Sequence, residues 1–485
     1  MRLPPMTVVR RLLGGLTIAS LLFVAIELSA RLVERRLESV APLDYERGRD
    51  SLLVDESTGL LRRPFLVVRP DGFEIRPDYT NGDECYPIHC QALPIQKGPR
   101  EFRMACFGGS TTAGLDLLSS ERPVLGYDAR KGAWPGPEPF CALLQRRLQA
   151  VMPDRAVTAY NLGGDALDSE KILPIMREIA ERVPFDLWVV YMGHNEYLFA
   201  PDLVGLRLPS APLAWLAHEA NLRLAVFRLM ARGYRRLASD SSNRGRTREY
   251  APEVYVRSAH YESARARVAA LYEKRLKEIV TLTRSAGIQL VFSELVANHV
   301  WGGDGSDALF QCYQRGVTEE MIERIHSRYV RARELEASLS LPTALAAYRD
   351  IEAIDSGFQP AIAGEARCLA ALGRRRAALE ASYRAQEQVA LPAVITPELT
   401  RILEDVCRKT HTPLAQTIPV FDDIFINEPD RYARLFLDDC HPTEEGHAII
   451  ADRIMAALTR AGIRENSEGR DGTSLPTREA SPDVL

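Results

Sequence analysis

Phe107-Gly108-Gly109-Ser110-Thr111-Thr112 and Asp438-Asp439-Cys440-His441-Pro442 hold the side-chain types that acyl transfer requires. A serine hydroxyl is a poor nucleophile until an adjacent base takes its proton. Ser110 sits behind two glycines that let the backbone bend sharply, and His441 is the best base among nine histidines. Asp438, three residues earlier, can hold one imidazole nitrogen while the other faces the serine. Asp439 is the alternative partner, although the alternation of side chains leaves only one of the two acids on the face of His441. A third run, Gly193-His194-Asn195-Glu196, offers the Asn195 side-chain amide to a developing oxyanion. The run Asn161-Leu162-Gly163-Gly164-Asp165-Ala166 can add a backbone N–H from Ala166, and the amide of Ser110 would complete the hole. Gly163, Gly164 and His194 are assigned to the substrate's surroundings, and Glu196 to the rim or the framework. Taken singly, each run has a plainer alternative: a capping serine on a strand-to-helix turn, or acids at a helix start.

Other chemistries are disfavoured. Gly163-Gly164 does not make G-x-G-x-x-G, and no P-loop lysine follows Gly108-Gly109, which argues against nucleotide binding. A net charge of −4 leaves no basic surplus for nucleic acid. Eight scattered cysteines without a C-x-x-C pair argue against a disulfide framework or a zinc site, although Cys85 and Cys90 are close enough to bridge in an oxidising compartment. Asp438, Asp439, His441 and His447 form a conceivable metal cluster, yet the reading requires no metal and no cofactor.

These groups lie far apart, so a fold must collect them. Glu101 to Gly108, Val157 to Leu162, Asp186 to Met192 and Ile288 to Ser293 read as buried strands, with Leu414 to Val420 as the last. Pro139 to Met152, Ser169 to Val183, Ala266 to Ala286, Pro397 to Lys409 and Thr443 to Leu458 read as helices. Strand–helix alternation of this kind predicts a parallel sheet with helices on its faces. The Pro/Gly-rich region before Arg100 reads as short strands and loops, and Arg232 to Arg248 as a polar loop.

At 485 residues there is room for two or three domains at roughly 100–200 residues each. Residues 1–35 form an anchor: Leu12 to Val33 is almost wholly apolar, Arg2, Arg10 and Arg11 precede it, and Glu27 is expected near the outer interface. That arrangement predicts a single uncleaved pass through the cytoplasmic membrane with an exported, periplasmic body. Residues 36–324 and 393–465 carry the catalytic unit, and 466–485 read as a disordered tail. Between them, 325–392 are rich in Ala, Arg and Glu, and Ala344-Leu345-Ala346-Ala347-Tyr348 aligns on Ala378-Leu379-Glu380-Ala381-Ser382 at a spacing of 34. The period resembles that of tetratricopeptide repeats, with Tyr348 replaced by Ser382 in the second unit. Such an insert would be a surface for a protein partner.

The order Ser110, Gly163/Ala166, Asn195, Asp438/His441 resembles the SGNH (GDSL-like) hydrolase family over about 100–230, 260–300 and 395–460. The resemblance implies a three-layer α/β/α, flavodoxin-like fold, with Ser110 as nucleophile and His441 as a base oriented by Asp438. The oxyanion donors it implies are Ser110, Ala166 and Asn195. Gly109 stands where the family usually has Asp, and Ala166 where it usually has a glycine. The implied activity is ester hydrolysis through an acyl-enzyme, on O-acyl groups of a carbohydrate or lipid. An O-acyltransferase with the same site and a non-catalytic scaffold built on the insert are the alternatives.

Overall fold

Five parallel strands carry the runs described above: β1 (Glu101–Gly108), β2 (Ala156–Gly163), β3 (Leu187–Tyr191), β4 (Gln289–Ser293) and β5 (Leu414–Ala415). They lie in the order β5-β4-β3-β1-β2, every neighbouring pair parallel. The computed structural model describes 17, 19–33, short strands within 53–87, 92–114, 138–164, 167–197, 224–227, 229–230, 255–256, 259–300, 312–314, 316–389 and 392–462. β3 is buried at all positions and β1 at all but the first, as near-continuous apolar runs covered on both faces should be.

Helix α1 (Ser110–Ala113) follows β1 directly, and α2 (Phe140–Val151) leads to β2. Helix α3 (Ser169–Ala180) returns the chain across β1 to β3. A right-handed crossover that first moves outward and then back must place α2 and α3 on opposite faces of the sheet. The strand order reverses between β1 and β3, which opens a crevice at their C-terminal ends. The register brings the relevant strand ends level: Gly108 is opposite Tyr191 on one side and Gly163 on the other.

The long α4 (Ala259–Ala286) packs on α3 and β4, seven residues longer at its start than the periodicity predicts. Four successive helices follow: α5 (Glu319–Ala337), α6 (Leu341–Glu352), α7 (Gln359–Ala371) and α8 (Arg375–Gln388). Each packs on the next, and α8 begins 34 residues after α6. The helical stack thus starts at 319 rather than 325, where Thr318 accepts the Met321 N–H as a cap. Gly364 of α7 lets the Tyr348 ring approach so closely that a Cβ there would lie 2.3 Å from it. Helix α8 then packs on α9 (Pro397–Thr410) and α10 (Ile418–Asn427) of the sheet-bearing unit. Finally, α11 (Glu444–Arg460) packs on α2, β4 and β5.

The last strand is shorter than expected. It stops at Ala415, and Ile418 to Val420 of the expected strand open α10. The Glu294 carboxylate accepts the Ile418 N–H and the Thr417 hydroxyl donates to the Glu294 carbonyl, which turns the chain, and Pro419 suits a first helical turn. At the N-terminus, 17 and 19–33 are helical, but among the described residues no helix is long and apolar enough to cross a membrane. Glu27 is buried, pairs with Arg31 and accepts the N–H groups of Ala225 and Val226. Residues 1–16, Cys90, the loop at 232–248 and the tail from 466 lie outside the described residues, and the expectations placed on them are not addressed. Short antiparallel strands do occupy the region before Arg100, at Leu66–Arg69, Gly72–Ile75 and Ala92–Pro94 among others.

Candidate active site

Ser110 is the first residue of α1, two residues beyond the end of β1. Its N–H therefore belongs to the group that has no acceptor inside the helix. The helix is pressed onto the sheet: a Cβ on Gly163 of β2 would lie 2.3 Å from the Ala113 nitrogen. Asn161, two residues earlier, locks this approach. Its Nδ2 donates to the Thr112 carbonyl at 2.8 Å, and its Oδ1 accepts the Gly163 N–H at 3.0 Å. Neither contact is evident from spacing alone, although Asn161 opens the glycine-bearing run.

The hydroxyl of Ser110 lies 2.7 Å from His441 Nε2, across 331 residues of sequence. The opposite ring nitrogen, Nδ1, is 2.6 Å from Asp438 Oδ2. A carboxylate accepts, so Nδ1 carries the proton and Nε2 is left as the acceptor for the serine O–H. The other Asp438 oxygen, Oδ1, accepts the backbone N–H groups of Cys440 at 2.9 Å and His441 at 2.8 Å. Burial alone would raise the Asp438 carboxyl, but the bonds from His441 and Cys440 outweigh it and bring its pKa down to about 2. It is a carboxylate throughout the neutral range. Asp439, the other acid considered, is pushed above its ordinary range by burial and by the Asp438 charge.

Asn195 lies just beyond β3, buried, with its Nδ2 donating to the Leu167 carbonyl at 3.1 Å. An amide NH₂ has two hydrogens, so one remains for a ligand. A Cβ on Gly109 would lie 2.9 Å from this nitrogen, which sets the amide against the turn that carries the nucleophile. Ala166 lies outside the described residues.

Gly163 and Gly164 belong to the frame rather than to a substrate surface. Gly163 is spent on the approach of α1, and the Gly164 N–H donates to the Gly108 carbonyl at 3.2 Å. His194 is buried, and its Nδ1 accepts the Ile395 N–H at 3.1 Å. Burial, helped by the nearby His441, lowers its pKa to about 3, so the ring is neutral and Nε2 is its N–H donor. Glu196 accepts both the N–H and the hydroxyl of Ser169 and so ties the β3 loop to the start of α3. His447 stacks on Phe140 and accepts its N–H. The ligand atoms of Asp438, Asp439, Cys440 and His441 lie within 4.8 Å of one another, as a metal site would require. Both ring nitrogens of His441 and both oxygens of Asp438 are, however, already engaged in the bonds above.

No family model matches the chain, and no curated protein does. Among solved structures it is similar to a putative GDSL-like lipase from Parabacteroides merdae, at 11% identity over 75% of this chain and 98% of that one, with a TM-score of 0.34. It is also similar to an acetylxylan esterase from Geobacillus stearothermophilus, at 12% identity over 74% of this chain and 96% of that one, TM-score 0.31. An α/β hydrolase from the metagenome of Lake Arreo, Spain, matches at 13% identity over 74% and 95% of the two chains, TM-score 0.31. With likeness this distant, the chemical reading rests on the residues themselves.

Proposed function

We propose that this protein is a serine-dependent ester hydrolase working through an acyl-enzyme. One observation carries the reading: a continuous chain of hydrogen bonds from Ser110 Oγ through His441 to Asp438, at 2.7 and 2.6 Å. Ser110 Oγ attacks the ester carbonyl carbon as its proton passes to His441 Nε2. Asp438 stabilises the imidazolium that forms. The carbonyl oxygen becomes an oxyanion beside the Asn195 amide and the Ser110 N–H. Collapse breaks the carbon–oxygen bond, and His441 returns its proton to the departing alcohol. Water, deprotonated by Nε2, then attacks the acyl-serine; the acid leaves and Ser110 recovers its proton.

The substrate class is part of the proposal: an O-acyl ester of a carbohydrate or lipid, met in an exported compartment. The support is the apolar N-terminal stretch behind Arg2, Arg10 and Arg11, a pattern that directs the following body outward. The period of 34 between α6 and α8 supports a tetratricopeptide-like insert that binds a partner.

Turnover of p-nitrophenyl acetate by the full chain, compared with Ser110→Ala, tests the reaction. Loss of turnover in the variant, together with a fluorophosphonate adduct on Ser110 in the native protein, is the expected result. Equal rates would overturn it. For the compartment, a phosphatase fused after residue 40 is expected to be active, and an inactive fusion would reject export.

A further inference from the structure

The catalytic carboxylate sits in an irregular loop that is closed on itself. Leu437 N–H donates to the His441 carbonyl at 2.8 Å, and Asp438 Oδ1 accepts the N–H groups of Cys440 and His441. These bonds shape the loop but do not fix where it stands relative to Ser110. Two contacts described here do so from opposite flanks. From α1, the Thr111 hydroxyl reaches the Cys440 carbonyl at 3.4 Å. From beyond β4, Asn298 makes the tighter grip: its backbone N–H donates to the Asp439 carbonyl at 2.7 Å and its Nδ2 to the Asp438 carbonyl at 3.0 Å. Its Oδ1 accepts the Val300 N–H at 3.2 Å, which fixes the orientation of the amide.

The next residue extends this grip to the helical stack. His299 is buried; its Nδ1 is 3.1 Å from Ser382 Oγ of α8, and its Nε2 is 2.9 Å from Asp422 of α10. Tyr383, beside Ser382, donates to the same Asp422 carboxylate at 2.8 Å. Ser382 stands 34 residues after Tyr348, whose ring fills the space over Gly364 between α6 and α7. At the end of the stack no further pair follows. The position holds a small hydroxyl that bonds the catalytic unit instead.

Resting on the ester-hydrolase reading, we infer that Asn298 is a positioning residue: it holds the Asp438–His441 loop at its distance from Ser110, and His299 ties that hold to the helical stack. A loop whose successive Asp438 and Asp439 carbonyls each accept one donor from the same residue resists the small displacements to which a general base is most sensitive, since about 1 Å of misplacement can cost about 100-fold in rate.

The test compares Asn298→Ala and the stack-side pair Ser382→Ala/Tyr383→Phe in the full chain. Neither touches the substrate's groups. For Asn298→Ala, kcat on p-nitrophenyl acetate is expected to fall about 10- to 100-fold with KM within about 2-fold, and for the pair to fall in the same sense but less. The low-field proton resonance of the His441–Asp438 hydrogen bond should broaden or vanish in Asn298→Ala while the melting transition stays cooperative. This signal does not depend on turnover, so it judges the positioning role even if the native protein hydrolyses no ester. An unchanged resonance with unchanged kcat would overturn the inference. If Asn298→Ala does not fold, the stack-side pair decides: native kcat and a native resonance there would overturn the link to the stack.

Discussion

Gly109 and Asn195 compete for one volume: a Cβ on residue 109 would lie 2.9 Å from the Asn195 amide nitrogen. The backbone at Gly109, with φ −82°, suits any residue, so the constraint is contact and not conformation. A glycine before the nucleophile therefore leaves room for the amide that would face the oxyanion. Gly109→Ala is expected to lower kcat about 10-fold by moving the amide, and Asn195→Ala by about 100- to 1000-fold. Because the first change acts through the second residue, the double variant should equal Asn195→Ala alone. Additive losses in steady-state kinetics would reject the connection.

Asp438 gives a charge to the base and also fixes its tautomer. Asp438→Asn keeps the size but presents a donor or a weaker acceptor to Nδ1, so kcat should fall by about 10³- to 10⁴-fold with the fold intact. The acid side follows from its depressed pKa of about 2 against an ordinary value of 3.8. A group whose folded pKa is depressed contributes stability above its unfolded pKa and loses it as pH falls through the folded one. Acid titration followed by circular dichroism should show the native protein losing more stability between about pH 4 and 2 than Asp438→Asn does.

Glu294 carries the opposite sign. Burial, with Glu404 and Asp422 nearby, pushes its carboxyl up to about 7, although it accepts the Ile418 N–H. Between its ordinary value and about 7 the folded state binds more proton than the unfolded state, so stability falls as pH rises through that window. Glu294→Gln keeps an acceptor for Ile418 and removes the charge. Its Tm should exceed the native value at pH 8 and approach it at pH 5, and equal shifts at both pH values would contradict this account.

Gly163→Ala tests the seat of the nucleophile. The added carbon would meet the Ala113 nitrogen at 2.3 Å, so α1 must lift off β2. Overpacking of this kind costs about 1–3 kcal/mol. Thermal melting should register that loss, and the phosphonylation rate of Ser110 should drop with it. A native rate in a destabilised protein would show that α1 is not seated by this contact.

Local chemistry in the sequence was sufficient to determine much of this protein. The apolar runs specify β1, β3 and β4, because strands covered on both faces have no polar side to show. The short Asp438-to-His441 spacing specifies their pairing, because one turn of chain brings carboxylate and ring together. The expected strand over 414–420 gives way to a helix at Ile418 because apolar content there cannot reveal that Glu294, more than 120 positions away, accepts the Ile418 N–H. Only the tertiary structure decided that Gly163 and Gly164 serve the frame and that Asn298 grips the catalytic loop. Such roles depend on which backbone groups meet across strands 1 and 2 and beyond strand 4, and residue type alone carries no record of those meetings.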